Sequence, residues 1–251
     1  MTVRIYLTSR VRVENGDLLL DESALPGRQG RLVLAYLVAE RTRPVSRDEL
    51  GLELWGDEVP DAWEKGLMAI ISKLRAALRS VGLPGDTLQT AFGCYQMMLP
   101  HDTWVDIEDA ATAVHAAEVA IAAGRPLDGY GWAYVAYHIG RRPFLLGEDG
   151  PWASRRRAAL REVYLRALEC AIVCDAANGD LAEAIQAAED LIALEPVRES
   201  AYQRLMCALA ETGNRAEAIK VYERCRRVLG EELGVPPSAQ TRAVYESLIL
   251  G

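Results

Sequence analysis

Side chains able to do bond chemistry are thinly spread through these 251 residues. Only three histidines occur, His101, His115 and His138, and none belongs to a His-Glu-x-x-His pair, a nucleophile elbow or a phosphate-binding loop. Cys170 and Cys174 stand one helical turn apart, half of a metal site, but no Cys-x-x-Cys or neighbouring histidine completes it, so both are assigned to a core. The acidic residues have spacings that suit solvated helix faces, without a calcium-loop pattern. The sequence therefore predicts no catalytic residue, no metal and no cofactor. What it does carry is a helix-spaced set, Lys65, Met68, Ala69, Ser72 and Lys73, whose small or donor-bearing side chains suit the base edges of a DNA major groove. Arg75 and Arg79 further along, with Arg43 and Arg47 upstream, suit phosphates.

These residues need elements to position them. At 100° per residue from Leu67, the apolar Trp63, Ile71, Leu74 and Leu78 fall within about 40° of it, with Lys65, Ala69, Ser72 and Ala76 opposite. The pattern predicts an amphipathic helix from about Asp61 to Val81 with a narrow polar outer face. Ahead of it, Ser46 can cap a shorter helix running to about Trp55, and Glu49 can complete a capping box. Gly56-Asp57-Glu58-Val59-Pro60 breaks the chain between the two. A further helix is expected from Gly27, through Leu32, Leu34, Ala35, Leu37 and Val38. Before it, Val3–Leu7 and Arg10–Val13 alternate with period two, and Leu18–Leu20 follow a turn at Asn15-Gly16-Asp17, a small antiparallel sheet. After the long helix, Thr87–Ala91 and Tyr95–Leu99 flank Phe92-Gly93-Cys94, a hairpin whose glycine takes the positive φ of its turn. Sheet, three helices and hairpin is the order of a winged helix. Phe92, Gly93, Tyr95 and Gln96 are its wing residues.

From Asp106 onward the strand signals stop. Helices alternate with breaks such as Gly124-Arg125-Pro126, Asn178-Gly179-Asp180, Gly213-Asn214 and Gly230–Pro237, which places a boundary near Pro100–Val105 and two domains at 1–100 and 101–251. Gly179-Asp180-Leu181-Ala182-Glu183-Ala184-Ile185 recurs as Gly213-Asn214-Arg215-Ala216-Glu217-Ala218-Ile219, a shift of 34 residues. That is the tetratricopeptide period, and stacked helix pairs of this kind present a concave surface to other proteins. The expected fold is mainly α, α+β overall.

Composition limits the rest. The net charge of −8 divides as 12 basic and 13 acidic residues in 1–100, and 16 and 23 in 101–251. An acidic total argues against indiscriminate nucleic-acid or membrane-surface binding, yet allows one locally basic face. No apolar run reaches ~18 residues and the start Met1-Thr2-Val3-Arg4-Ile5 has no apolar core of ~7–15 residues, so a cytosolic protein is expected. Five scattered cysteines suit reduced thiols. Arg155-Arg156-Arg157 reads as a helix face partnered by carboxylates, and the tryptophans at 55, 63, 104, 132 and 152 as core packing.

Several linked segments resemble one family. Gly27-Arg28-Gln29-Gly30-Arg31-Leu32-Val33-Leu34, Val45–Leu50, Leu54-Trp55-Gly56-Asp57 and Ile71–Leu78 resemble the DNA-binding domain of Streptomyces antibiotic regulatory proteins. Gly150-Pro151-Trp152 with Arg156 and Leu160, Glu195–Met206 and Glu231–Ser238 resemble their bacterial transcriptional activation domain. The resemblance runs from about Val3 to Leu248. It implies an OmpR-like winged helix joined to a tetratricopeptide-type domain, in an activator that binds direct repeats at promoters, recruits RNA polymerase and pairs as a homodimer on DNA. The family's wing commonly reads Gly-Tyr-Arg, whereas this chain has Gly93-Cys94-Tyr95-Gln96, without the cation. That departure leaves open DNA binding that is weak, dimer-dependent or lost. Two other readings stand beside the activator: a protein-interaction adaptor with a degenerate winged helix, and a ligand sensor using Tyr130, Trp132, Tyr134, Tyr137, Arg141 and Arg142.

Overall fold

The computed structural model describes residues 2–56 and 58–250; Met1, Gly251 and Asp57, the last within the predicted break after Trp55, lie outside the described residues. In chain order the elements are strands β1 (Val3–Tyr6), β2 (Arg12–Asn15) and β3 (Leu18–Leu20), helix α1 (Gly27–Ala39), strand β4 (Val45–Ser46), and helices α2 (Arg47–Trp55) and α3 (Trp63–Ser80). Strands β5 (Leu88–Ala91), β6 (Cys94–Met97) and β7 (Trp104–Val105) follow. The remainder is helical: α4 (Asp106–Ala122), α5 (Pro126–Gly140), α6 (Pro151–Asn178), α7 (Leu181–Leu194), α8 (Glu199–Glu211), α9 (Arg215–Leu233) and α10 (Ala239–Leu250). No helix among the described residues is long and apolar enough to cross a membrane.

The chain forms two compact units that are not contiguous in sequence. One contains the residues up to Asp109 together with Arg141–Arg161; the other contains Ala110–Gly140 and the residues from Glu162 onward.

In the first unit, β3, β2 and β1 pair antiparallel in that order, with Val3 opposite Asn15 and Val13 opposite Leu20. Alternation buries Val3, Ile5, Val13 and Leu20 on one face, as a half-buried sheet requires. The parallel pairing of β7 with β1, Arg4 opposite Trp104, has no counterpart in the sequence reading. A second sheet has the order β4-β6-β5, so the hairpin is anchored by the two residues that precede α2. Helices α1, α2 and α3 close over both sheets through Leu34, Leu37, Leu50, Leu67, Leu74 and Leu78, all at most 2 % exposed. Phe144, Leu145 and Trp152 complete this same core, and Tyr36 packs its ring 4.6 Å from that of Trp152. Burial of large apolar side chains at this density supplies the main folding force for the unit.

The second unit is built from helices, with α8 packed against both α7 and α9. The 34-residue shift reappears in it: Gly179 and Gly213 take φ of +86° and +79° just before α7 and α9, and the equivalent Ala184 and Ala218 are both fully buried. Cys170 and Cys174 lie in its alanine-rich core with Ala113, Ala117, Ala133 and Ala136, and burial pushes their thiols up to about 12 and about 11. Trp132 departs from the expected core packing, being 49 % exposed on α5.

Asp175 is a buried acid in this unit. The Tyr134 hydroxyl donates to both its oxygens at 3.0 and 3.1 Å. Burial raises its pKa to about 6, with Asp180 and Glu183 adding to the rise and the Tyr134 bond opposing it. A carboxyl whose folded pKa lies above its unfolded value stabilises the fold at low pH and loses that contribution as pH rises through the folded value. Asp175→Asn is therefore expected to melt later than the wild type at pH 7.5, by on the order of 1 kcal/mol, with the gap roughly halved at pH 5 and closed only below about pH 4. Thermal melts across this pH range check this; a gap of constant size would refute it.

Candidate nucleic-acid interface

Helix α2 begins where its sequence says it should. The Ser46 side chain accepts from the Glu49 backbone N–H at 3.1 Å, satisfying one of the unpaired donors of the first turn. The Glu49 carboxylate is held below its ordinary pKa first by Arg43, against burial, and further by Tyr36 and the Ser46 N–H. Arg43 donates to Glu49 at 2.6 and 3.0 Å and to Glu40 at 3.3 Å, while Tyr36 donates to Glu49 at 2.5 Å. Burial works against the Glu40 carboxylate, but Trp152 and Arg156, with Arg43, hold it low. The expected phosphate contact Arg43 is thus committed to an acidic pair inside the unit. Arg156 of the triple-arginine run is likewise spent on Glu40, and Arg157 on the carbonyls of Phe144, Leu145 and Glu148.

Helix α3 presents the face read from its spacing. Leu67, Ile70, Ile71, Leu74 and Leu78 are buried, and Lys65, Met68, Ala69, Ser72, Lys73 and Arg79 are exposed. Lys65, Lys73 and Arg79 pair with no other described residue. Arg47, at the start of α2, has its Nε shielded from water without a partner. These four cations remain available to a polyanion.

Arg75 behaves differently. Its guanidinium donates to the Leu88 carbonyl at 2.9 Å through both Nε and Nη2, and to Thr90 Oγ1 at 2.6 Å, clasping β5 to α3. The hairpin is held a second time where the Arg47 backbone N–H donates to the Gly93 carbonyl at 3.1 Å. Within the wing, Gly93 has φ +76° as predicted, but Phe92 is also positive, at φ +49°, in a two-residue turn between Ala91 and Cys94. Tyr95 points into the core at 2 % exposure and Gln96 donates to the Arg41 carbonyl at 3.1 Å. Only Phe92 of the wing residues is fully exposed. Two features escaped the sequence reading, the bracing role of Arg75 and the prominence of Phe92, because each depends on a partner or backbone angle set by the folded hairpin.

No group of three or more His, Cys, Asp or Glu side chains among the described residues is placed to hold a metal. The family model for the bacterial transcriptional activator domain matches residues 105–249. The chain belongs to this family, within the Streptomyces antibiotic regulatory proteins. It is 34 % identical over 88 % of its length to the regulatory protein AfsR of Streptomyces coelicolor, of which it covers 22 %. It is 28 % identical over 87 % of its length to the transcriptional regulator RedD of the same organism, covering 63 % of that protein. Among solved structures, that of Mycobacterium tuberculosis EmbR in complex with a low affinity phosphopeptide superposes with a TM-score of 0.85 at 25 % identity, covering 99 % of this chain and 65 % of that one. The chain thus spans about a quarter of AfsR and just under two thirds of RedD and EmbR. Its architecture is the family's winged helix plus helical array, and family members are transcriptional regulators rather than enzymes.

Inside the residues matched by the family model lies a groove of about 620 Å³, lined by Ile172, Gln203, Arg204, Cys207, Glu211 and Val244 among others. The residues expected of a ligand sensor do not line it. Tyr130, Tyr134 and Tyr137 instead pack ring against ring, with centroids 5.0 and 6.0 Å apart.

Proposed function

We propose that this chain is a sequence-reading DNA-binding transcriptional activator of the bacterial cytoplasm. The observation that carries the reading is the outer face of α3, where unpaired Lys65 and Lys73 alternate with the small Ala69 and Ser72 on a helix preceded by a capped one and followed by a braced hairpin. A helix so faced can lie deep in a major groove, with Lys65, Met68, Ala69, Ser72 and Lys73 at the base edges. Arg47 and Arg79 take phosphates. The bonds of Arg43 and Arg75 within the first unit favour positioning roles for them in place of direct phosphate contacts. The second unit, with its tetratricopeptide-like repeat and groove, supplies a protein-binding surface for RNA polymerase, and a homodimer on repeated half-sites would add the affinity that so few cations leave short.

The test is selection of duplexes from a random pool by the purified protein, followed by titration at two salt concentrations. Lys73→Ala is expected to weaken binding to every selected duplex by about tenfold and to lower the salt slope by roughly one unit. Ser72→Ala is expected to leave the slope alone and relax preference at one base pair. Titrations of Lys73→Ala that match the wild type at both salts would remove α3 from the interface. A second reading, an interaction adaptor, is favoured by one observation: between Gln89 and Met97 the wing carries no lysine or arginine. A footprint on selected DNA decides against it.

A further inference from the structure

We propose that Phe92 is an apolar wedge that enters the minor groove beside α3 and unstacks a base step, so that the protein bends its site. The inference rests on the DNA-binding reading above. Of the two phenylalanines in the chain, Phe144 is 2 % exposed and Phe92 is fully exposed, at 105 %. Phe92 also occupies an unfavourable backbone region. A two-residue hairpin turn with positive φ at both positions selects Asn-Gly, because a bulky side chain in the left-handed region meets the backbone. Here the pair is Phe92-Gly93 at φ +49° and +76°. An aromatic ring is thus held in water on a strained backbone, at a position where asparagine would relieve both penalties. Strain retained in this way concentrates at functional sites.

The location of the ring supplies the occupant. Two independent ties fix the hairpin to the helices: Arg75 to the Leu88 carbonyl and Thr90 Oγ1, and the Arg47 N–H to the Gly93 carbonyl beside the ring. When α3 lies in a major groove, the tip is carried with it onto the adjoining minor groove. Proteins enter a minor groove either with cationic and amide side chains or with apolar wedges, and no lysine or arginine is present between Gln89 and Met97. The alternative chemistry in that groove is insertion of an apolar side chain between base pairs, which trades partial unstacking for a bent duplex that wraps more protein surface.

The experiment uses the full chain and a duplex it recovers from a random pool, end-labelled for energy transfer and carrying 2-aminopurine at successive positions beside the α3 site. The wild type is expected to shorten the end-to-end distance, consistent with a bend of about 20–90°, and to brighten one 2-aminopurine position. Phe92→Leu, still an apolar wedge, should keep both signals. Phe92→Asn, which suits the turn, should lose both and bind about tenfold more weakly while melting no earlier than the wild type. If Phe92→Asn bends and binds like the wild type, the wedge is overturned and the DNA reading survives. If the wild type binds no duplex at any salt, both are overturned together.

Discussion

Asp106→Ala is expected to lower the stability of the first unit by roughly 4 kcal/mol, measured by urea unfolding followed through tryptophan fluorescence. The carboxylate is fully buried and accepts from the Leu7 N–H at 3.0 Å, the Thr8 N–H at 2.9 Å and the Thr8 hydroxyl at 2.7 Å. It also accepts from the Ile107 N–H at 2.8 Å in the first turn of α4. Burial is the largest influence on its pKa and keeps it above the ordinary value in spite of these bonds. Truncation would strand several buried donors, each costing about 1–3 kcal/mol, at the end of the inner strand β1. Asp106→Asn retains one acceptor but turns an amide toward donors, and should fall between. A loss below about 1 kcal/mol for the alanine variant would mean that water replaces the carboxylate.

Glu148→Ala should cost the same unit about 3 kcal/mol, for a different reason. Glu148 is 3 % exposed and accepts from Arg31 Nη2 at 2.8 Å and Arg28 Nε at 3.0 Å. Arg31 turns its other arm to Glu22 at 3.1 Å and has a side chain only 15 % exposed. Removing Glu148 leaves a largely desolvated guanidinium with one carboxylate, and breaking a buried pair costs more than replacing it whole. The double variant Glu148→Ala/Arg31→Met should therefore regain a good part of the loss, giving a coupling of about 1–3 kcal/mol in a double-mutant cycle. Additive losses would show that the two side chains act separately.

What the sequence revealed were features settled within a few residues of chain. The Ser46 cap, the stripe through Leu67, Leu74 and Leu78, and the turn at Gly93 follow from local spacing and local hydrogen bonding, and the structure has them. Features settled by distant partners were not legible. Asp106 meets Leu7 across 99 positions, and Arg43 and Arg75 look like free cations until Glu49, Leu88 and Thr90 are folded against them. Periodicity marks Tyr95 as part of a hairpin without saying that its ring is turned inward. The exposure of Trp132 is the reverse case, an aromatic that its helix leaves half in solvent.

The inclusion of Arg141–Arg161 in the first unit bears on how segments could be exchanged between relatives. A chimaera joined at the end of the wing would give one parent's three helices and the other parent's Phe144, Trp152 and Glu148, residues that fill the core and neutralise Arg28 and Arg31. Mismatched plugs of that kind would read as lost activity when the fault is misfolding. Grafts that carry the later segment along with the N-terminal one keep each donor's core whole, and the outer face of α3 then transfers on an intact module.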